Sequence, residues 1–406
     1  MTNVGSMTHR RRTGLETCRL GAGLAVLLLA ACGGSAAPQT APPAASPKVV
    51  ASSASAQLSP ASSAGAQAQM DQLVAAAKKE GKVVVGSDPD TSFRDKVLPV
   101  FQKQYGIPAE MLAATSSSAL ATKLVQEKAA GAHSADVLLS SSTNVINRLF
   151  PAKVYAPLKP ALILPDVNNP KLWPNGQLWW TDKQKQYIVR LVRQIRYTYT
   201  INPAKIDATT LKSAQDMLNP NLKGKIAAYD PTINGTGQSA ADGILNGLGA
   251  DYLKKLYIGQ KLQYGQNDRT MGDWVARGTY PIAIGVADDE RARQVAAGFK
   301  IEPLQINGPG MAAAQCGSFL MGLMNNAPHP AAAKLFANWL LTKQGMQTFS
   351  DAEGQAVIRL DVSTSKLDPA DVPTASYQQL NDECAWDWVS GKRVQLSNQV
   401  KTLLSS

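Results

Sequence analysis

The chain has 406 residues, 44% hydrophobic and 17% charged, with a formal net charge of +11 at neutral pH. That length and apolar content exclude a disordered or disulfide-only scaffold and are enough for two lobes, each with its own core. Lys and Arg are scattered, with no basic run and no stacking aromatic motif beside one, so a nucleic-acid partner is not expected and most of the charge reads as solvated surface.

The N-terminus carries the strongest local signal. Arg10, Arg11, Arg12 and Arg19 precede an uncharged apolar run from Leu20 to Ala31. About 12 residues are too few to cross a bilayer as a helix, so the run reads as the apolar region of an export signal. Leu29-Ala30-Ala31-Cys32, followed by Gly33-Gly34, resembles the lipobox of bacterial lipoproteins. The resemblance implies cleavage before Cys32, acylation of its thiol and a mature protein held to a membrane by lipid. The other reading is a signal cleaved after Ala-x-Ala, with Cys32 incidental. Arg11-Arg12 also suggests a twin-arginine signal, although Gly14 stands where that motif prefers an apolar residue. From Gly33 to Gln69 the chain is rich in Ala, Ser, Pro and Gln and nearly uncharged, which predicts a disordered leash. Residues 1–31 are therefore expected to be signal peptide, and 32–69 the lipidated cysteine and linker.

Met70 to Glu80 has helical spacing, with Leu73, Val74 and Ala77 on one face and Gly81 as its stop. Lys82 to Gly86 reads as a buried strand, Phe93 to Tyr105 as a helix, and Ile107 to Ala113 as a strand. Ala119 to Ala130 is again helical, and Ala135 to Leu139 is a third strand. An irregular stretch with Trp173, Trp179 and Trp180 leads to an extended run, Tyr187 to Ile201, the natural crossover between lobes. Lys225 to Tyr229 and Tyr280 to Val286 read as strands, each followed by a helix, from about Ala240 and through Arg291 and Val295 respectively. Ile301 to Leu304 reads as a strand returning to the first lobe, and Pro330 to Leu341 and Gly345 to Phe349 as closing helices. Strands alternating with helices of this length predict an α/β fold of mostly parallel sheets flanked by helices. The expected division is 70–193 with 303–345 for the first lobe, and 194–302 with 346–406 for the second lobe and C-terminal segment.

Four cysteines are present, of which Cys18 and Cys32 lie in the export segment. Cys316 and Cys384 could pair in an oxidising compartment, closing a loop of about 68 residues. No metal-ligand spacing of Cys and His exists, and neither a metal nor a cofactor is expected.

Leu73-Val-Ala-Ala-Ala-Lys-Lys-Glu-Gly-Lys-Val-Val-Val85, Tyr105-Gly106-Ile107 and Ser134-Ala-Asp-Val-Leu138 resemble the extracellular solute-binding proteins of ABC importers. The branch they resemble contains ferric-iron, thiamine and phosphonate binders. Leu222 to Ile226, Asp230-Pro231 with Gly235-Thr-Gly237, Tyr280 to Gly285 and the helix from Pro328 add to the likeness, which spans residues 70 to about 360. The resemblance implies a two-lobed periplasmic-binding-protein fold, type II-like, with crossover strands and a ligand cleft. It implies a small-molecule or oxoanion ligand, ABC permease subunits as partners, a monomer, and a place outside the cytoplasmic membrane or in the periplasm. Members of the iron branch hold metal with adjacent tyrosines after the strand matching Tyr280 to Val286. Here that loop reads Ala287-Asp288-Asp289-Glu290, so a ferric ligand is not expected.

In open α/β sheets, ligands sit beyond the carboxyl ends of strands, against helix N-termini. Three serine-rich loops occupy such positions in the first lobe: Ser87 and Asp88, Ser116 and Ser117, and Ser140 and Ser141. Each could cap a helix or reach a ligand. Thr236 and Gly237 hold the matching place in the second lobe. Asp288 could cap the next helix or meet a cationic group, and Arg193 and Arg269 could clamp a carboxylate or phosphonate, or form surface ion pairs. Two rival classes remain: an exported hydrolase, and a structural surface lipoprotein with a degenerate cleft. A hydrolase needs an activated nucleophile, yet downstream of Cys32 the only histidines are His133 and His329, and no nucleophile elbow or zinc-protease motif occurs. No enzyme activity is therefore expected.

Overall fold

The computed structural model describes residues 60–405, apart from 234, 375–376 and 378–379. The export segment, including Cys32, lies outside the described residues. Helix α1 (Pro60–Glu80) leads into β1 (Val83–Gly86). A π-turn at Phe93–Val97 runs on into α2 (Leu98–Tyr105), then come β2 (Ala109–Leu112), α3 (Ser117–Ala129), β3 (Val137–Ser140) and the single turn α4 (Ser142–Asn144). After β4 (Tyr155–Ala156), the extended run divides into β5 (Ile188–Arg190), β6 (Gln194–Tyr197) and β7 (Tyr199–Ile201). The next block holds β8 (Ile226–Tyr229), α5 (Thr236–Lys254), β9 (Gln263–Gly265), α6 (Asp268–Arg277), β10 (Ile282–Ile284), α7 (Asp288–Ala296) and β11 (Glu302–Pro303). The chain then forms β12 (Ala312–Gln315), β13 (Leu320–Met324), α8 (Pro330–Leu340), α9 (Lys343–Glu353), β14 (Asn381–Asp382) and α10 (Arg393–Leu404).

Two sheets define the lobes. The first has the order β2-β1-β3-β13-β4, with β1 to β3 parallel, β13 antiparallel to β3, and β5 also on the free side of β13. The second has the order β11-β7-β10-β8-β9, with β9, β8 and β10 parallel. Between them lies an antiparallel ribbon of β6 and β12, carrying the chain out and back, to which β14 adds a parallel third strand. Strands buried on both faces read as continuous apolar runs, and all residues of β3, β8 and β10 are indeed buried.

Three expectations are corrected. Residues 60–69 belong to α1 and not to a disordered linker. Their Ala and Gln favour helix, and Met70 and Ala77 anchor the helix by burial in the first core. Ile301 to Leu304 does not return to the first lobe: β11 pairs with β7 in the second sheet, and Leu304 N–H donates to Tyr199 O at 2.9 Å. The return strand is β12, whose three alanines lack the apolar bulk that marks a strand in sequence. Finally, 346–362 do not join the second lobe. Met346 and Phe349 on α9, with Val357, Ile358 and Val362, share the core of β1, and the Phe349 ring packs on Phe319 and Phe93 at 4.9 and 6.3 Å. Cys316 and Cys384 are bonded to each other, tying the residue after β12 to the segment after β14. No described helix is long and apolar enough to cross a membrane.

Candidate functional site

The carboxyl ends of β1 to β3 place three serine loops on one rim. Ser140 is buried at the end of β3, with its Oγ 3.5 Å from that of Ser117. Asn144, itself buried, donates from Nδ2 to Ser117 Oγ at 2.8 Å. Ser116 caps α3 by accepting from Ala119 N–H at 3.2 Å, and Ser141 caps α4 by accepting from Asn144 N–H at 3.5 Å. The second and third loops are thus one hydrogen-bonded unit. Ser87 extends the β1–β2 ladder instead, its N–H donating to Leu112 O at 3.0 Å. Asp88 follows, with Oδ1 buried and unpartnered.

On the opposing lobe, close backbone approach sets the start of α5. A Cβ on Gly237 would lie 2.3 Å from Tyr229 O, and one on Gly285 (φ +80°) would lie 2.8 Å from Gly237 Cα. Glycine at both positions lets α5 begin hard against the ends of β8 and β10. Thr236 turns inward, its hydroxyl donating to Gly285 O and lying 3.2 Å from Asp268 Oδ1. Gly237 and Thr236 therefore position the helix, and the next residue, Gln238, is largely buried but lines a cavity.

Two cavities bear on the expected site. The first, of about 500 Å³, has Ser117, Ser118, Ser141 and Thr143 on its first-lobe wall and Gln238 from the second lobe. Its remaining wall is the C-terminal helix α10, through Arg393 and Lys401 among others. The second, of about 480 Å³, is acidic: Asp288, Asp289, Glu353, Asp368 and Asp371 surround Arg291. That arginine is already engaged, at 2.8 Å from Asp371 and 3.5 Å from Asp288. Asp288 also accepts from Gln194 Nε2 at 2.7 Å, and burial raises its carboxyl above the usual range. Ala287, not Asp288, is the N-cap of α7. Arg269 is exposed on α6 and lines neither cavity. Arg193 is committed to backbone, donating from Nε to Val357 O at 3.1 Å. Among the described residues, no three His, Cys, Asp or Glu side chains are arranged to hold a metal ion.

A cleft between two α/β lobes, with helix N-termini on its rim, agrees with the match of residues 96–375 to the family model for bacterial extracellular solute-binding proteins. The chain belongs to that family. Its fold is shared by iron-bound HitA from Pseudomonas aeruginosa, at 17% identity and a TM-score of 0.56, covering 79% of this chain and 99% of that one. An ABC transporter structure from Clostridium perfringens has 14% identity and a TM-score of 0.60, with coverage of 79% and 99%. AfuA from Actinobacillus pleuropneumoniae, with fructose-6-phosphate bound, has 19% identity and a TM-score of 0.52, with coverage of 80% and 99%. No curated protein sequence matches significantly.

This solute-binding protein carries cleft residues that the sequence did not single out. Arg393, Ser397 and Lys401 lie on one face of α10 and line the first cavity, while Leu396 and Val400 are buried on another. Spacing of i, i+4 and i+8 is the signal for such a stripe. Nothing local to residues 393–401 says that the stripe faces a cleft.

Proposed function

We propose that this solute-binding protein captures a small polar solute between its lobes and delivers it to an ABC-type import permease. One observation carries the reading: the cavity of about 500 Å³ draws its walls from the β2–α3 and β3–α4 loops of one lobe and from α5 of the other. A solute touching both walls stabilises the lobes drawn together, and the closed surface is what a permease can recognise. The loop after β10 carries acids and no tyrosine pair, which supports an organic or oxoanionic solute over ferric iron. The basic leader, short apolar run and Cys32 support a lipid-anchored protein outside the cytoplasmic membrane.

Binding without turnover is the mode that the side chains support. His329 is occupied by buried Asp136, with Nδ1 2.9 Å from Oδ2, and His133 lies 3.5 Å from Asn326. Neither lines the cavity that holds the serines. A thermal-shift screen of amino acids, vitamins, polyamines, phosphonates and carboxylates, followed by X-ray scattering of the hit, tests capture. A solute at 100 times its dissociation constant stabilises the fold by about 2.7 kcal/mol, and scattering should show compaction. Chemical conversion of a stabilising solute, or stabilisation with no compaction, would overturn the reading.

A further inference from the structure

The C-terminal segment lies beyond residue 375, where the family match ends, yet it forms a wall of the cleft. We propose that α10 makes the cleft a receptor for solutes bearing an oxoanion group, with Arg393 and Lys401 as the residues that read the charge. The inference rests on capture in this cleft and names the class of solute.

Apart from two valines, the cavity is lined by hydroxyls, amides and two cations, with no carboxylate among them. Lys401 makes no ion pair to any described residue. Arg393 donates from Nη2 to Ser239 Oγ at 2.8 Å, and its Nε lies 4.0 Å from Asp242 Oδ2. Asp242 sits behind the wall, fully buried, where Ser397 Oγ donates to the same oxygen at 2.6 Å. This arrangement orients Arg393 and leaves Nη1 without a partner. Across the cavity, Ser117 and Ser118 open α3, where backbone N–H groups have no intrahelical acceptor and the helix dipole favours an anion.

A second observation points to a ligand independently of charge. Gln238 is only 8% exposed and lines the cavity, yet its amide makes no hydrogen bond to any described residue. Its amide still reaches the cavity and is free to pair with a solute polar atom there. An oxoanion could thus accept from a guanidinium fork, an ammonium, serine hydroxyls and N–H groups, the donor types that suit such groups. The acidic cavity beside α7 offers the opposite chemistry.

The test is calorimetry on the purified protein with inorganic phosphate, methylphosphonate, glycerol 3-phosphate and succinate, against glycerol and spermidine. At least one oxoanion should bind, more weakly as salt rises, and the neutral and cationic probes should not. Arg393→Gln should weaken that binding about a hundredfold and Lys401→Gln about tenfold. Lys401→Gln breaks no side-chain ion pair with a described residue, so its unfolding temperature should be unchanged and its loss attributable to binding. Oxoanion binding insensitive to both variants would overturn the role of α10. Binding of glycerol or spermidine with lobe closure would overturn the anion assignment and leave capture standing. Silence from every probe overturns the present inference alone, and capture falls with it only if the wider screen is also silent.

Discussion

Glu353 ends α9 with Oε1 buried and unpartnered, while burial first, and a hydrogen bond shared with Asp90 second, raise its pKa to about 8. The neutral acid is therefore the form that the fold prefers. A carboxyl with a raised folded pKa contributes stability fully present below its unfolded value, near 4.5, and lost as pH rises through 8. Glu353→Gln keeps a donor toward Asp90 and removes the proton, so unfolding at pH 9 should require more denaturant for the variant than for the wild type. The wild-type loss across the window should approach about 1.4 kcal/mol per pH unit. A variant with the same slope as wild type would show that another group titrates. Residues of this kind were invisible in sequence, because nothing in Asp351-Ala-Glu353 says which carboxyl is buried. The serines were legible, since Ser116 and Ser141 each follow a strand and precede a helix, the position of an N-cap. Their meeting through Asn144 was not, because it depends on β1 lying between β2 and β3.

Helix α5 depends on a contact between elements that tolerates no side chain. Gly237→Ala would drive a methyl to within 2.3 Å of Tyr229 O, and overpacking of this sort costs about 1–3 kcal/mol. The unfolding midpoint should fall accordingly, and solute affinity with it, since Gln238 moves when the helix start is displaced. An unchanged midpoint would mean that the helix end shifts freely. The disulfide is the second device at this scale. Replacing both cysteines by serine (Cys316→Ser with Cys384→Ser) opens a loop of about 68 residues, worth roughly 4 kcal/mol in the chain-entropy model. Denaturation of wild type with and without reductant should reproduce that difference. Elements with apolar runs, such as Lys82 to Gly86, were readable within a residue or two. The alanine strand β12 and the short β14 were not, because their pairing partners and not their own side chains hold them in place.

At the scale of the molecule, the chain after residue 367 is a strap that visits both lobes. Asp371 holds Arg291 of α7 in the second lobe at 2.8 Å, and Tyr377 packs edge-on to Trp179 with ring centroids 5.8 Å apart. Asp382 then meets buried Arg190 of β5 in the first sheet at 2.7 Å, and Glu383 meets Arg196 of the ribbon at 2.6 Å. Trp386 stacks edge-on to Phe150 with centroids 5.0 Å apart, and α10 finally lies along α5 of the second lobe. The ribbon of β6 and β12 is the only strand pair described that links the sheets, so any closing motion must bend there. A third strand and a disulfide at that ribbon stiffen the place where bending occurs. The strap should therefore limit how far the lobes open, so that a large share of molecules is competent to close on a solute. Releasing it admits wider states, and apparent affinity falls in proportion to the competent fraction: a drop to about one tenth weakens binding about tenfold. The double serine variant, at a temperature where it remains folded, should show a larger radius of gyration without solute than wild type and a larger compaction with it. Its dissociation constant should rise, and the wild type should compact on binding by the smaller amount. Equal radii and equal affinities in the two proteins would mean that the disulfide fastens the segment without holding the lobes.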